Sequence, residues 1–207
     1  VVKDADVYIV AGKDDAMLNV IDLLCAHCKH GVFVHTAGTM SMSMFTGKAE
    51  HYGVLYPMQT FSKQRIVDFK VIPCFIEASD VSAKSILQQL CDSISDRVYE
   101  LSSDNRKYLH LAAVFACNFS NYCYDMAQQI VEAEQVDFSL LYPLILETAD
   151  KATKHDPKTM QTGPAMRGDQ NILQMHGQLL ARADRKDLQD IYALLSEGIF
   201  KRHQING

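Results

Sequence analysis

The chain has 207 residues, of which 48% are hydrophobic and 22% charged, and carries a formal net charge of −5. That length and apolar share can bury one substantial core and a smaller second one, while the acidic balance and the lack of a long Lys/Arg run argue against a nucleic-acid partner, whose phosphates demand a basic surface. No apolar run reaches the roughly 18 to 20 residues of a spanning helix, and the first residues lack the basic and apolar regions of a secretory signal, so the expected setting is the cytoplasm with no membrane partner.

The first elements lie in DADVYIVAGKDDA (Asp4 to Ala16) and GVFVHTAGT (Gly31 to Thr39). Each is a short β-branched apolar run ending at small and polar residues, and a helix-period stretch from Asp15 to Cys28 separates them. The pattern predicts a strand, helix, strand unit of a parallel sheet. Ligands of such sheets bind beyond the carboxyl ends of the strands, which places Gly12, Lys13, Asp14, His35, Thr36 and Gly38 where a ligand would lie. Six cysteines fall inside apolar patterns and are expected to be free thiols. CAHCKH (Cys25 to His30) looks like half a zinc site, but Cys25 and Cys28 continue the apolar face of Met17, Val20, Ile21 and Leu24, which favours core cysteines and no metal.

Further strands are expected in VLYPMQT (Val54 to Thr60), FKVIPCFIEAS (Phe69 to Ser79) and DRVYELS (Asp96 to Ser102), with a helix capped by Asp80 between the last two. From Asp104 onward strand signals vanish. The expected organisation is therefore an α/β parallel-sheet domain over residues 1–102 and an all-helical domain over 103–207.

The helical half opens with a stretch free of Gly and Pro from about Asn105 to Glu134, apolar on most sides, as in a helix buried between neighbours or in a subunit interface. At 100° per residue Asn118 lies about 20° from Lys107, with His110 and Asn121 within roughly 60°, so the four could form one polar stripe along a cleft. Alternatively, Lys107 is first-turn surface and the amides satisfy nearby backbone. Asp137 is a good cap for a helix from about Phe138 to Lys154, in which Pro143 demands a loose or kinked first turn. A Pro- and Gly-rich loop comes next; Asp169 caps a helix over about Gln170 to Ala183, and a last helix runs from about Asp187 to His203. Arg167, just before a helix N-terminus, could hold an anion or pair with a carboxylate of its own loop.

HTAG (His35 to Gly38), YPMQTF (Tyr56 to Phe61), AAVFACNF (Ala112 to Phe119) and TGPAMRGD (Thr162 to Asp169) together resemble bacterial Rossmann-like oxidoreductases assigned to NADP or deazaflavin cofactors. These are relatives of 6-phosphogluconate dehydrogenase and pyrroline-carboxylate reductase with a helical C-terminal domain of unassigned role. The resemblance spans almost the whole chain. It implies hydride transfer between NADP or NAD and a small carbonyl, hydroxy or imine metabolite, and dimerisation through the helical domain. By the same resemblance Gly12, Lys13 and Asp14 approach the cofactor ribose and phosphates, and His35, Thr36 and Gly38 the nicotinamide. His110 and Lys107 are then candidates for managing the substrate proton, Asn118 for orienting a carbonyl or hydroxyl, and Asn121 and Arg167 for binding substrate.

Two departures stand out. The family's usual His-Pro reads Tyr56-Pro57 here, and no GxGxxG phosphate loop occurs among the ten glycines. By resemblance, an initial strand and helix segment of some 50 to 60 residues would precede Val1, and the chain alone would be a weak dinucleotide binder. The competing expectation is a non-catalytic dimeric binding module built on the same scaffold. A serine hydrolase finds no GxSxG elbow to support it.

Overall fold

The computed structural model describes residues 2–204. Five strands form one sheet in the order β1 (Val7–Val10), β2 (Val32–His35), β3 (His51–Pro57), β4 (Cys74–Ala78) and β5 (Val98–Glu100). As the spacing predicts, β1 and β2 run parallel, joined by α1 (Asp14–His27). β3 continues the parallel set beside β2, but β4 pairs with it antiparallel, so the sheet is parallel-dominated rather than uniformly parallel. α2 (Val81–Ile94) starts at Asp80, whose carboxylate accepts from the amides of Ser82 and Ala83, and it returns the chain to β5, parallel to β4.

Strand side chains alternate between faces, and each face is covered by its own helix. On one, Tyr8, Val10 and Phe33 pack on Met17, Ile21, Cys25 and Cys28 of α1 and its end. On the other, Val32, Val34, Leu55 and Ile76 pack on Ala83, Leu87 and Cys91 of α2. Gly53 permits this second layer. A Cβ there would strike the Glu77 carbonyl oxygen of the neighbouring strand and come within 3.0 Å of Leu87. All six cysteines are free, as expected; Cys25, Cys28, Cys74 and Cys91 are core residues, whereas Cys117 and Cys123 are exposed.

The chain divides into two compact units, Val1–Asn121 and Tyr122–Gly207. Strands do give way to helices at Ser103, but the first unit runs past the expected boundary at 102. The reason is that Arg106 and His110 reach back to side chains of β4 and β3. The long helix is present as α3 (Ser103–Ala113), a π-helical segment (Val114–Phe119) and α4 (Ser120–Ala133) in unbroken succession. In the second unit Asp137 caps a 3-10 turn, Phe138–Leu141, that leads into α5 (Tyr142–Lys154). Pro143 thus stands in the first turn, where its missing N–H has no helical partner to lose. A short helix α6 (Pro164–Arg167), α7 (Gln170–Arg182) capped by Asp169, and α8 (Lys186–Gln204) complete it. Among the described residues no helix is long and apolar enough to cross a membrane.

Candidate active site

Residues directly opposite on neighbouring strands share a face, and the register pairs His35 with Val54, Val54 with Glu77, and Tyr56 with Phe75. His35, Tyr56 and Glu77 therefore stand on one face, toward the carboxyl ends of β2 and β3. α3 crosses that face. Ser103, Arg106 and His110, spaced by three and then four residues, form the stripe it turns toward the sheet.

At the near end of α3 the contact is ionic. Arg106 is fully buried and donates from Nη1 to Glu77 Oε2 at 2.9 Å. Its Nη2 donates to Ser103 Oγ at 3.1 Å and to the Met40 carbonyl oxygen. The Ser103 hydroxyl donates to Glu77 Oε2 at 2.5 Å and accepts the Met42 amide at 3.1 Å. Burial pushes the Glu77 carboxyl up, but the bonds from Ser103 and Arg106 outweigh it and hold the group below the usual carboxylate range. Helix, sheet and the loop after β2 are thereby locked to one another.

That lock places Gly38 against the second contact. The Tyr56 hydroxyl and His110 Nδ1 lie 3.0 Å apart, and a Cβ on Gly38 would sit 2.5 Å from that same nitrogen and 3.1 Å from Tyr56 Cζ. Only glycine fits there. Burial raises the Tyr56 hydroxyl above its ordinary range, against the opposing pull of the Arg106 charge, so Tyr56 holds its proton at neutral pH. Tyr56 and His110 border a cavity of about 340 Å³ together with Met58, Ala113, Cys117 and Asn118.

The π segment explains why Asn118 belongs to this group. In an uninterrupted α-helix it would point about 80° away from His110 and in phase with Lys107. A π turn absorbs one extra residue, which rotates the succeeding positions back by about 100° and brings Asn118 to within roughly 20° of His110. The expected stripe is corrected accordingly. His110 and Asn118 share the cavity, but Lys107 is exposed and pairs with Asp104 at 3.2 Å, and Asn121 is exposed and does not border the cavity. Arg167 sits exposed in the last turn of α6, in the second unit.

His35, at the carboxyl end of β2, is fully buried. Its Nδ1 accepts the Ala37 amide at 3.2 Å, which fixes the proton on Nε2, 3.3 Å from the Ser41 carbonyl. The imidazole thus braces the loop that carries Gly38. Burial lowers its pKa from 6.5 to about 4. A depressed histidine contributes its stabilisation fully above the unfolded value and loses it as pH falls toward the folded one. The protein should lose about 3 kcal/mol between pH 6.5 and 4 from this residue. Urea denaturation across that window should show the loss in the wild type and a much flatter course in His35→Asn; parallel curves would refute the assignment.

Gly12, Lys13 and Asp14 form an exposed rim at the end of β1. A Cβ on Gly12 would meet nothing within 4 Å, and the Asp14 carboxylate is held by the Thr39 hydroxyl at 2.7 Å. Open space beside the backbone next to an oriented carboxylate suits a ribose, whose hydroxyls donate to carboxylate oxygen. Thr36, half-buried, donates its amide to the Val10 carbonyl oxygen at 3.2 Å, at the end of β1.

Arg106, Glu77 and Ser103 are not among the site residues expected from the sequence, and Tyr56 stands out there only as a departure from the family's His-Pro. The three-then-four spacing of Ser103, Arg106 and His110 was the signal for two of them, outweighed by the apparent phase of Lys107 and Asn118.

The family profile described as a domain of unknown function (DUF2520) matches residues 72–199. Among solved structures, a Bacteroides fragilis protein provisionally named an NADP oxidoreductase is 44% identical, with a TM-score of 0.92 over 97% of this chain and 77% of that one. A Thermotoga maritima protein is 21% identical, with a TM-score of 0.71 over 95% of this chain and 77% of its own. An imine reductase from Myxococcus stipitatus, solved with NADP+, is 11% identical, with a TM-score of 0.63 over 99% and 76%. The last two show the fold alone. Among curated proteins no sequence matches.

Proposed function

The chain belongs to the family of the domain of unknown function DUF2520, and from that footing we propose that it is an NADP-dependent oxidoreductase that reduces a small carbonyl or imine compound. The observation that carries this reading is the Tyr56–His110 pair, 3.0 Å apart at the mouth of a ligand-sized cavity beyond the ends of β2 and β3. The name of the Bacteroides fragilis relative supports the choice of cofactor.

In this reading Gly12, Lys13 and Asp14 hold the nicotinamide ribose, and Thr36 and Gly38 border the ring. A bound nicotinamide supplies a hydride, and the protein must supply a proton to the heteroatom that receives charge. Tyr56 carries that proton, and His110 holds the phenol in place and restores the proton from solvent. Asn118 offers an amide to orient the substrate heteroatom. Gly38 keeps the pair in register, and Arg106, one turn before His110 on the same face of α3, fixes the loop that carries Gly38.

The test is stereospecific transfer. Incubation with NADPH deuterated on one face of C4 should move deuterium to a carbonyl or imine substrate from one face only; retention of label in the nicotinamide with every such compound would defeat the proposal. The same reading includes a homodimer formed through the helical region. Leu111, Phe115 and Phe119 are about half exposed or more along one helix, at 53%, 63% and 49%. Light scattering should give twice 23.2 kDa, and Phe115→Glu should shift it toward the monomer.

A further inference from the structure

The cavity beside Tyr56 and His110 has an unusual wall for a site handling small metabolites. Its twelve bordering residues include no Lys, Arg, Asp or Glu. Ala112, Ala113, Val114 and Ala116 of the helix, with Leu109 and Met58, make the surface chiefly apolar, and Gln59, Thr60 and Asn118 add neutral polar groups. Arg106, whose charge acts on Tyr56, does not border the cavity and is fully buried with both of its terminal nitrogens committed to Glu77, Ser103 and Met40. A carboxylate or phosphate moved from water into such a wall would lose its hydration and gain no guanidinium or ammonium in return. An uncharged apolar body loses nothing by the same move and gains from burial.

We infer that this site takes an uncharged, predominantly apolar imine or ketone and selects against substrates bearing a carboxylate or phosphate. The inference rests on the oxidoreductase reading for its chemistry and on the composition of the wall for its selectivity. The reaction balances simply. The carbon of C=N or C=O takes the hydride released by NADPH, which becomes NADP+, and the nitrogen or oxygen takes the proton held by Tyr56 and His110, leaving an amine or alcohol. Among the described residues the Asn118 side-chain amide has no hydrogen-bond partner, so it can bond the heteroatom, and the π turn brings it to the cavity. The small residues Ala113 and Ala116 leave room for a ring or branched chain beside the reacting carbon.

Matched probes separate charge from shape. 2-Methyl-1-pyrroline and 1-pyrroline-2-carboxylate share a ring and differ by methyl against carboxylate; acetophenone and phenylglyoxylate form the same contrast among ketones. Two readouts are needed. The exposed thiol of Cys117, in the cavity wall, reports occupancy through protection from alkylation, with no need for turnover. NADPH oxidation reports the reaction. The neutral member of each pair should protect Cys117 at concentrations about 100-fold lower than the anionic one, and should be reduced with a correspondingly higher kcat/KM. Ala116→Arg, which places a cation in the wall, should narrow that ratio by about tenfold or more. Equal or better protection by the carboxylates, or no protection by any of the four, would overturn the inference. Protection by the neutral probes without NADPH oxidation would uphold the selectivity and defeat the hydride-transfer reading, whereas reduction of the carboxylates alone would do the reverse.

Discussion

Arg106→Met should destabilise the folded protein by about 3 to 5 kcal/mol, the usual consequence of removing one partner from a buried, hydrogen-bonded ion pair. The Arg106 side chain is 1% exposed and that of Glu77 16%, so water offers little compensation when the partner is lost. The substitution would leave the Glu77 carboxylate with the Ser103 hydroxyl but no cation, and would take the guanidinium donor from the Met40 carbonyl oxygen. Because the Glu77 carboxyl is held below its ordinary range, the network stabilises the protein above that range and loses its contribution as pH falls through it. The arginine variant should therefore differ most from wild type near neutral pH and converge with it in acid. Removing both charges, in Arg106→Met with Glu77→Gln, should recover part of the loss, since no unpaired ion remains. Chemical denaturation of the two single variants and the double variant gives the coupling directly. Additive losses in that cycle would show that the two side chains act independently.

The largest effect on activity is expected from the pair that this network positions. Tyr56→Phe should lower kcat by about 100-fold or more, the scale of a positioned proton donor, with little change in stability or in KM. The phenyl ring can keep the packing of Tyr56 against Phe75 at a centroid separation of 6.4 Å, so only the hydroxyl is lost. His110→Gln should produce a loss of similar size, and the double variant should be scarcely worse than either single one, because groups that pass one proton act as a unit. A Tyr56→Phe enzyme with undiminished kcat would remove the phenol from the chemistry and return the acid role to His110 acting alone. Gly38→Ala offers a third route to the same pair. It leaves both side chains in place but drives a methyl group into them, so its damage would come from displacement alone.

Much of the architecture was legible in the sequence for a local reason. The β-branched runs around Val7–Val10 and Val32–His35, the helix period between them and the Asp80 cap are short-range patterns, and each specifies its element without reference to distant residues. The same holds for the change to helices at Ser103 and for the turn that accommodates Pro143. The resemblance carried by HTAG, AAVFACNF and TGPAMRGD is likewise a property of the sequence, and the name of the Bacteroides fragilis relative agrees with its oxidoreductase component.

The candidate site depended on information that no local pattern holds. His35 and Lys107 have the residue types of a site, yet one is sealed in the core and the other pairs on the surface. Tyr56, a departure from the family pattern, became the partner of His110 only because β3 carries it beneath α3, a pairing across 54 positions of sequence. The phase of Asn118 turned on a single π segment, a change of one residue per turn that composition and periodicity do not announce. Sequence alone thus determined the elements, because hydrophobic period and capping act over a few residues. Tertiary structure alone decided which polar groups meet, because burial and hydrogen bonding are settled between segments far apart in the chain.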